Sequence, residues 1–237
     1  MTKVSICCSL YAWEGDTDRV DKTVEWYTAL TEMAGYKFRL LLVNDGCGES
    51  FKEIVPYITT PRGWCTDVEY FESEERLGKA VQLNRLLASC TDDYIVVMDN
   101  DVIAPRKWLP MCMYIASLPD IAVCGVLVED LPILKHFRID HPEFPISFLV
   151  PGMMGGACLV WKKEKLGVEN YFWTGGGVYG HEDAEFLQRI TKRVGTVAAI
   201  TGKGYCIAEN NSEEYQKWKT ERVQNPDDTV KSRILGL

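Results

Sequence analysis

The sequence contains no C-x-x-C pair, no basic leader and no apolar run approaching a membrane span. Its nine cysteines, Cys7, Cys8, Cys47, Cys65, Cys90, Cys112, Cys124, Cys158 and Cys206, are odd in number and scattered. That pattern suggests neither a disulfide framework nor a zinc site. Buried, reduced thiols in a reducing compartment are the expectation. A spanning helix needs about 20 consecutive apolar residues, so no stable membrane insertion is expected. The opening residues read as a first strand and not as a signal peptide; a cytoplasmic location is expected. Basic residues are outnumbered, 26 Lys and Arg against 34 Asp and Glu, for a formal net charge of -8. This argues against a grip on nucleic acid through a basic surface, and a nucleic-acid partner is not favoured. There is no internal repeat and no low-complexity segment. What is present is 46% hydrophobic and 25% charged residues, the balance of a globular chain with a sizeable core. A length of 237 residues suits a single large α/β unit.

Residues 94–102, Tyr-Ile-Val-Val-Met-Asp-Asn-Asp-Val, organise the rest. The first five form an apolar, β-rich run that reads as a strand buried on both faces. It ends in Asp99 and Asp101 flanking an amide. Asp-Asn-Asp is good turn chemistry, and that is the plain reading. Two carboxylates beside a buried strand are expensive unless a cation lies against them. In open α/β sheets ligands bind at the carboxyl ends of strands. The expectation is therefore a divalent cation, Mn2+ or Mg2+, held by Asp99 and Asp101 with a phosphorylated ligand on its other side.

The flanking pattern alternates strand and helix. Residues 4–10 read as a strand that opens into a loop bearing Tyr11 and Trp13, aromatics that can stack on a flat ring or cap the core. Thr17 or Asp18 is the expected cap of a helix reaching Ala34. Residues 38–43 are a second apolar run ending in Asn44-Asp45-Gly46, so another acid falls at a strand end. A helix over 50–58, a strand over 67–71 and a helix after Arg76-Leu77-Gly78-Lys79 follow. Pro105 is placed in the first turn of a helix running to Leu118, and 121–128 is another apolar run. This order predicts a mostly parallel sheet with right-handed crossovers, flanked by helices. Residues 131–150, rich in proline, histidine and aromatics, read as a long loop over the polar edge. Then come a glycine-rich turn, a short strand over 158–161, and a flexible segment carrying Trp173 and Tyr179. That segment delivers His181-Glu182-Asp183 to a helix start, where acids are favoured by the helix dipole in any case. His136 and His141 are read as solvated or core residues. A strand over 196–200 and a polar, helical tail close the pattern.

Taken together, these motifs resemble the family-2 glycosyltransferases of the GT-A fold, from Lys3 to about Glu209. Val43-Asn44-Asp45-Gly46 is similar to the family's strand-end V-D-D-G. Gly78 and Asn84 match its N-x-G-x-x-x-A-x-N motif, with Arg76 in place of the leading Asn and Gln82 in place of Ala. Asp99-Asn100-Asp101 matches D-x-D, and Gly180-His181-Glu182-Asp183 resembles G-x-E-D.

The resemblance implies a single GT-A, Rossmann-like domain over 1–237: a nucleotide-sugar half at 1–128, an acceptor half at 129–210 and a tail at 211–237. It implies an inverting, metal-dependent transfer of a sugar from a nucleotide-sugar donor, a UDP-sugar for preference, to an acceptor hydroxyl. Asp101 would be the main metal ligand, with Asp99 helping through the ribose or a water. Asp45 would meet the base beside Tyr11 or Trp13. Arg76, Lys79 and Asn84 would face the donor. Asp183 would be the general base, Glu182 would orient the acceptor, and Trp173, Tyr179 and His181 would line its pocket. The family's histidine near the last strand is missing; Glu209 or Asn210 stands there. A nucleotidyltransferase that makes sugar nucleotides and a non-catalytic nucleotide-sugar binder are the competing readings.

Overall fold

A computed structural model of the chain describes residues 2–12, 16–128, 133–139, 146–151, 154–167, 172 and 182–207. A nine-stranded sheet forms its centre, in the order β3-β2-β1-β4-β9-β6-β10-β8-β7. The strands are β1 (Val4–Leu10), β2 (Phe38–Asp45), β3 (Cys65–Ser73), β4 (Tyr94–Met98), β6 (Ile121–Gly125), β7 (Ile133–Ile139), β8 (Ile146–Pro151), β9 (Cys158–Lys162) and β10 (Thr196–Ile200). β5 (Val102–Ile103) and β11 (Tyr205–Cys206) pair in a separate two-stranded ribbon. In the large sheet only β8 and β9 run against the other seven. The expected mixed α/β architecture with a mostly parallel sheet is what forms.

β4 shows how the sequence builds three layers. All five of its residues are buried. Because side chains alternate along a strand, Tyr94, Val96 and Met98 join one core and Ile95 and Val97 the other. Helices α1 (Thr17–Met33) and α5 (Trp108–Ser117) cover the first face with Trp26, Tyr27, Leu30, Trp108 and Leu109. Helices α4 (Lys79–Ser89) and α7 (Glu182–Arg193) cover the second with Leu83, Leu87, Phe186 and Ile190. Trp26 and Trp108 are wholly buried. Truncating either to alanine costs about 3–5 kcal/mol.

Four local expectations are corrected. Residues 133–139 and 146–151 are not loop; they pair antiparallel as β7 and β8 at the sheet edge. The prolines misled: β7 contains none and β8 only Pro151 at its end, so ILKHFRI and ISFLV remain as β-compatible runs. The helix expected over 50–58 is two short ones, α2 (Glu49–Lys52) and α3 (Val55–Ile58). Pro105 is not in the first turn of α5. The Lys107 N–H instead donates to Met33 O at 2.6 Å, docking this loop on the end of α1. The helix then starts at Trp108, with Pro110 in its first turn. α1 is capped by Asp16, whose carboxylate accepts from the Arg19 N–H at 3.1 Å. The expected caps, Thr17 and Asp18, are instead the first two residues of the helix. The helical tail expected beyond 207 lies outside the described residues. α6 (Lys163–Leu166) completes the described helices.

Candidate functional site

The parallel strands β1, β2, β3 and β4 end on one rim of the sheet, where α1, α4 and α7 also begin. That is why residues far apart in sequence meet there. At the end of β4 the chain turns, with Val102 N–H donating to Asp99 O at 3.4 Å. Asn100, in the middle of the turn, is buried and donates from Nδ2 to Thr23 Oγ1 of α1 at 2.8 Å. The amide thus anchors the turn to α1 between the two acids.

Each of those acids meets an internal cation. Lys79 Nζ, at the start of α4, lies 2.6 Å from Asp99 Oδ1. Arg19 Nη1, in the first turn of α1, lies 3.2 Å from Asp101 Oδ2. Lys79 also reaches towards Glu182 Oε1 at 3.9 Å. Burial pushes the Asp99 carboxyl above its ordinary value, opposed by the Lys79 ammonium. Burial would lower Lys79, but the negative charges of Asp99, Glu182 and Asp183 outweigh it and hold the ammonium firmly protonated.

Asp183 is on the first turn of α7, behind Glu182. Its Oδ2 accepts the Gly156 N–H at 2.8 Å, and its Oδ1 accepts the Ala184 N–H at 2.7 Å. Glu182 is buried. The D-x-D and E-D segments, distant in the sequence, are therefore bridged through Lys79.

Asp45, at the end of β2, is nearly fully buried. Its Oδ1 accepts from the Leu77 N–H at 2.7 Å and from Gln82 Nε2 at 2.8 Å, and its Oδ2 from the Gly78 N–H at 3.0 Å. It serves α4 as a cap supplied from another strand, a carboxylate at the positive end of the helix dipole. Gly78 has φ 91 and ψ 153, a conformation that a side chain at this position would strain. Beside it the Arg76 guanidinium carbon lies 3.6 Å from the centre of the Tyr11 ring, close enough for cation–π contact. Asn84 faces elsewhere: its Nδ2 donates to Phe172 O and its Oδ1 accepts the Phe172 N–H, both at 2.8 Å. It clamps the chain just before residues 173–181.

Tyr11, Asp45, Arg76, Lys79, Asn84, Asp99, Asp101, Glu182 and Asp183 are thus placed, all but Asn84 along this rim and Asn84 on the adjoining clamp. Trp13, Trp173, Tyr179 and His181 lie outside the described residues, as do Glu209 and Asn210. The Ile207 N–H donates to Asp101 O at 2.8 Å, so the segment leading to those two residues is tied to the turn. Sequence reasoning missed Arg19, Thr23 and Gly156, and read Gln82 only as a departure from the motif. Arg19 carried a signal: a cation in the first helical turn opposes the helix dipole, which asks for an acid nearby.

The donor set suits a hard divalent cation. Asp99 and Asp101 offer carboxylate oxygens, and phosphate and water commonly complete such a shell. Asp99, Asp101, Glu182 and Asp183 outnumber Lys79 and Arg19, an acidic excess that a divalent cation would offset. No group of three or more acidic, histidine or cysteine ligands is gathered among the described residues.

The sequence model described as Glycosyl transferase family 2 matches residues 19–154, more than half of the chain. No curated protein sequence matches it significantly. Solved structures share the fold. The mannosyltransferase PcManGT from Pyrobaculum calidifontis, in complex with GDP-Man and Mn2+, superposes with a TM-score of 0.66 at 17% identity, over 93% of this chain and 60% of that one. GalNAc-T7 with UDP, GalNAc and Mn2+ gives 0.62 at 13% identity, over 88% and 44%. S. aureus TarS 1-349 gives 0.63 at 12% identity, over 99% and 71%. The chain therefore spans less than two thirds of the first two of these proteins. No described helix is long and apolar enough to cross a membrane.

Proposed function

The chain belongs to glycosyl transferase family 2, and from that premise we propose that it moves a sugar from a nucleotide-sugar donor to an acceptor hydroxyl at the rim formed by β1, β2 and β4. The observation that carries this reading is the junction of two acidic motifs through one lysine: Asp99 at 2.6 Å and Glu182 at 3.9 Å from Lys79 Nζ. Donor chemistry and acceptor chemistry need to meet within a few ångströms, and here their candidate residues do.

The donor half uses the strand ends. Asp45, whose Oδ1 is held by Leu77 N–H and Gln82 and whose Oδ2 accepts the Gly78 N–H, would meet the base through a remaining lone pair. The Tyr11 ring, with the Arg76 guanidinium carbon over one face at 3.6 Å, would offer an aromatic surface to the base. Arg76 supplies positive charge for the diphosphate, and Lys79 stands at the junction of the donor and acceptor sides. Asp101 and Asp99 would hold Mn2+ or Mg2+, which when bound neutralises charge on the departing diphosphate. UDP is the first nucleotide to test.

The acceptor half uses α7. Asp183 takes the proton from the attacking hydroxyl, and its two backbone N–H partners fix the carboxylate before the acceptor arrives. Glu182 orients the acceptor. A single displacement on the face opposite the leaving group inverts the anomeric centre. Trp173, Tyr179 and His181 would complete the acceptor pocket.

The test is a thermal-shift screen of nucleotide sugars, each with and without Mn2+, followed by assay of nucleotide release. A donor that raises the melting temperature only with the metal, and is then turned over, supports the reading, because a ligand bound by the folded state alone stabilises it. Failure of every nucleotide sugar to shift the transition contradicts it.

A further inference from the structure

Lys79 holds one of the two carboxylates that the metal reading assigns to an ion. Its ammonium sits on Asp99 Oδ1 at 2.6 Å, and Glu182 Oε1 is 3.9 Å away on its other side. The lysine side chain is 23% exposed and that of Asp99 31%, so neither is sealed in the core. Two like charges cannot share one carboxylate oxygen without strong repulsion. Lysine differs from arginine here: its charge is a point on a flexible stem with no fixed bidentate geometry. The contact between Arg19 and Asp101, by contrast, comes from a guanidinium, on a residue whose backbone N–H is tied to the Asp16 cap.

We propose that Lys79 is a resident counter-ion which competes with the divalent cation for Asp99 and passes to Glu182 when metal and nucleotide enter. The proposal rests on the glycosyltransferase reading above. It makes Lys79 a positioning residue. Without a donor, its charge keeps Asp99 and Glu182 from repelling each other and weakens metal binding. With a donor, the phosphate's negative charge offsets the incoming cation. The ammonium then moves the short distance to Glu182, beside the acceptor's base. Metal and nucleotide would accordingly bind together much better than metal alone, and loading of the donor side would set the charge of the acceptor side.

The experiment measures Mn2+ affinity from the paramagnetic resonance signal of the free ion, with and without UDP, for the unaltered chain, Lys79→Met and Lys79→Arg. Without nucleotide, Lys79→Met should bind Mn2+ at least about tenfold tighter than the unaltered chain, which corresponds to about 1.4 kcal/mol of removed competition. Lys79→Arg, which keeps the charge, should stay within about twofold, inside about 0.4 kcal/mol. An unchanged or weaker Mn2+ affinity in Lys79→Met overturns the proposal. A structure of the unaltered chain with Mn2+ and UDP gives a check that needs no variant: Lys79 Nζ should lie nearer Glu182 than Asp99, and an ammonium still on Asp99 overturns the exchange. The two levels separate. If the unaltered chain binds Mn2+ with UDP and Lys79→Met shows no gain, only this inference fails. If no form binds Mn2+ with any nucleotide, the metal-dependent reading fails too.

Discussion

The backbone N–H of Gly156 donates to Asp183 Oδ2 at 2.8 Å, and a methyl group added to Gly156 would lie 2.5 Å from Asp183 Cβ. The proposed base is therefore aimed by a close approach that only glycine permits. Gly156→Ala should push Asp183 aside and lower kcat by about a hundredfold, the scale of a 1 Å misplacement, with little effect on UDP affinity. Steady-state kinetics beside a calorimetric titration of UDP would check it. Unchanged turnover would remove Asp183 from the base role or show that its position is not critical.

Asp183→Asn keeps the shape of the side chain and removes its basicity. Transfer should fall by about 10²–10⁴-fold, the range of a general base, while nucleotide binding with Mn2+ is retained. Single-turnover measurement of sugar transfer decides it. Full-rate transfer in this variant contradicts the assignment.

Asp45 serves stability beside its proposed part in recognition. Asp45→Ala leaves the Leu77 and Gly78 N–H groups and Gln82 without their acceptor. The loss should be about 1–3 kcal/mol or slightly more, as for buried donors left unsatisfied, read from urea unfolding. Gln82→Ala removes one donor and keeps the two backbone N–H contacts, so it should cost about 1 kcal/mol or less. A larger loss from Gln82→Ala than from Asp45→Ala would show that the carboxylate is not the hub of this cap.

Much of this was legible in the residues, and the rest was not for definable reasons. β4 could be read because five apolar residues followed by acids leave few alternatives to a buried strand ending at a rim. α1 could be read from its period and from Gly35, which has φ 79 just past the helix. The strands β7 and β8 were obscured because prolines signal breaks without saying whether they interrupt or bound an element. The start of α5 depends on Lys107 docking against the end of α1, a tertiary contact with no local signature. In the site, acids at strand ends were visible as unusual. Their partners were not: pairing Arg19 with Asp101 or Lys79 with Asp99 requires knowing which helices start on the same rim. Asn84 was assigned to the donor by motif, yet its amide is spent on both backbone groups of Phe172, and a donor contact would have to share it.

The thiols offer a check on burial that is independent of the site. None of the nine cysteines is in a disulfide. Burial pushes Cys47 up to about 12 and Cys65 to about 11. At pH 8 their thiolate fractions should be on the order of one in 10⁴ and one in 10³, far below an unperturbed thiol. Mass-spectrometric mapping of iodoacetamide labelling should show both sites slow in the folded chain, accelerating as pH rises towards those values, and fast in urea. Rapid labelling of Cys65 at pH 8 in the folded chain would contradict its burial.

Asp101 bears most of the functional account. It is buried, ion-paired to Arg19, and proposed as the principal metal ligand. The most direct measurement is calorimetric titration of UDP, with and without Mn2+, into the unaltered chain and Asp101→Ala. The account predicts Mn2+-dependent UDP binding that weakens at least about thirtyfold in the variant, about 2 kcal/mol. Equal UDP affinity in the two proteins, with Mn2+ making no difference to either, would contradict it.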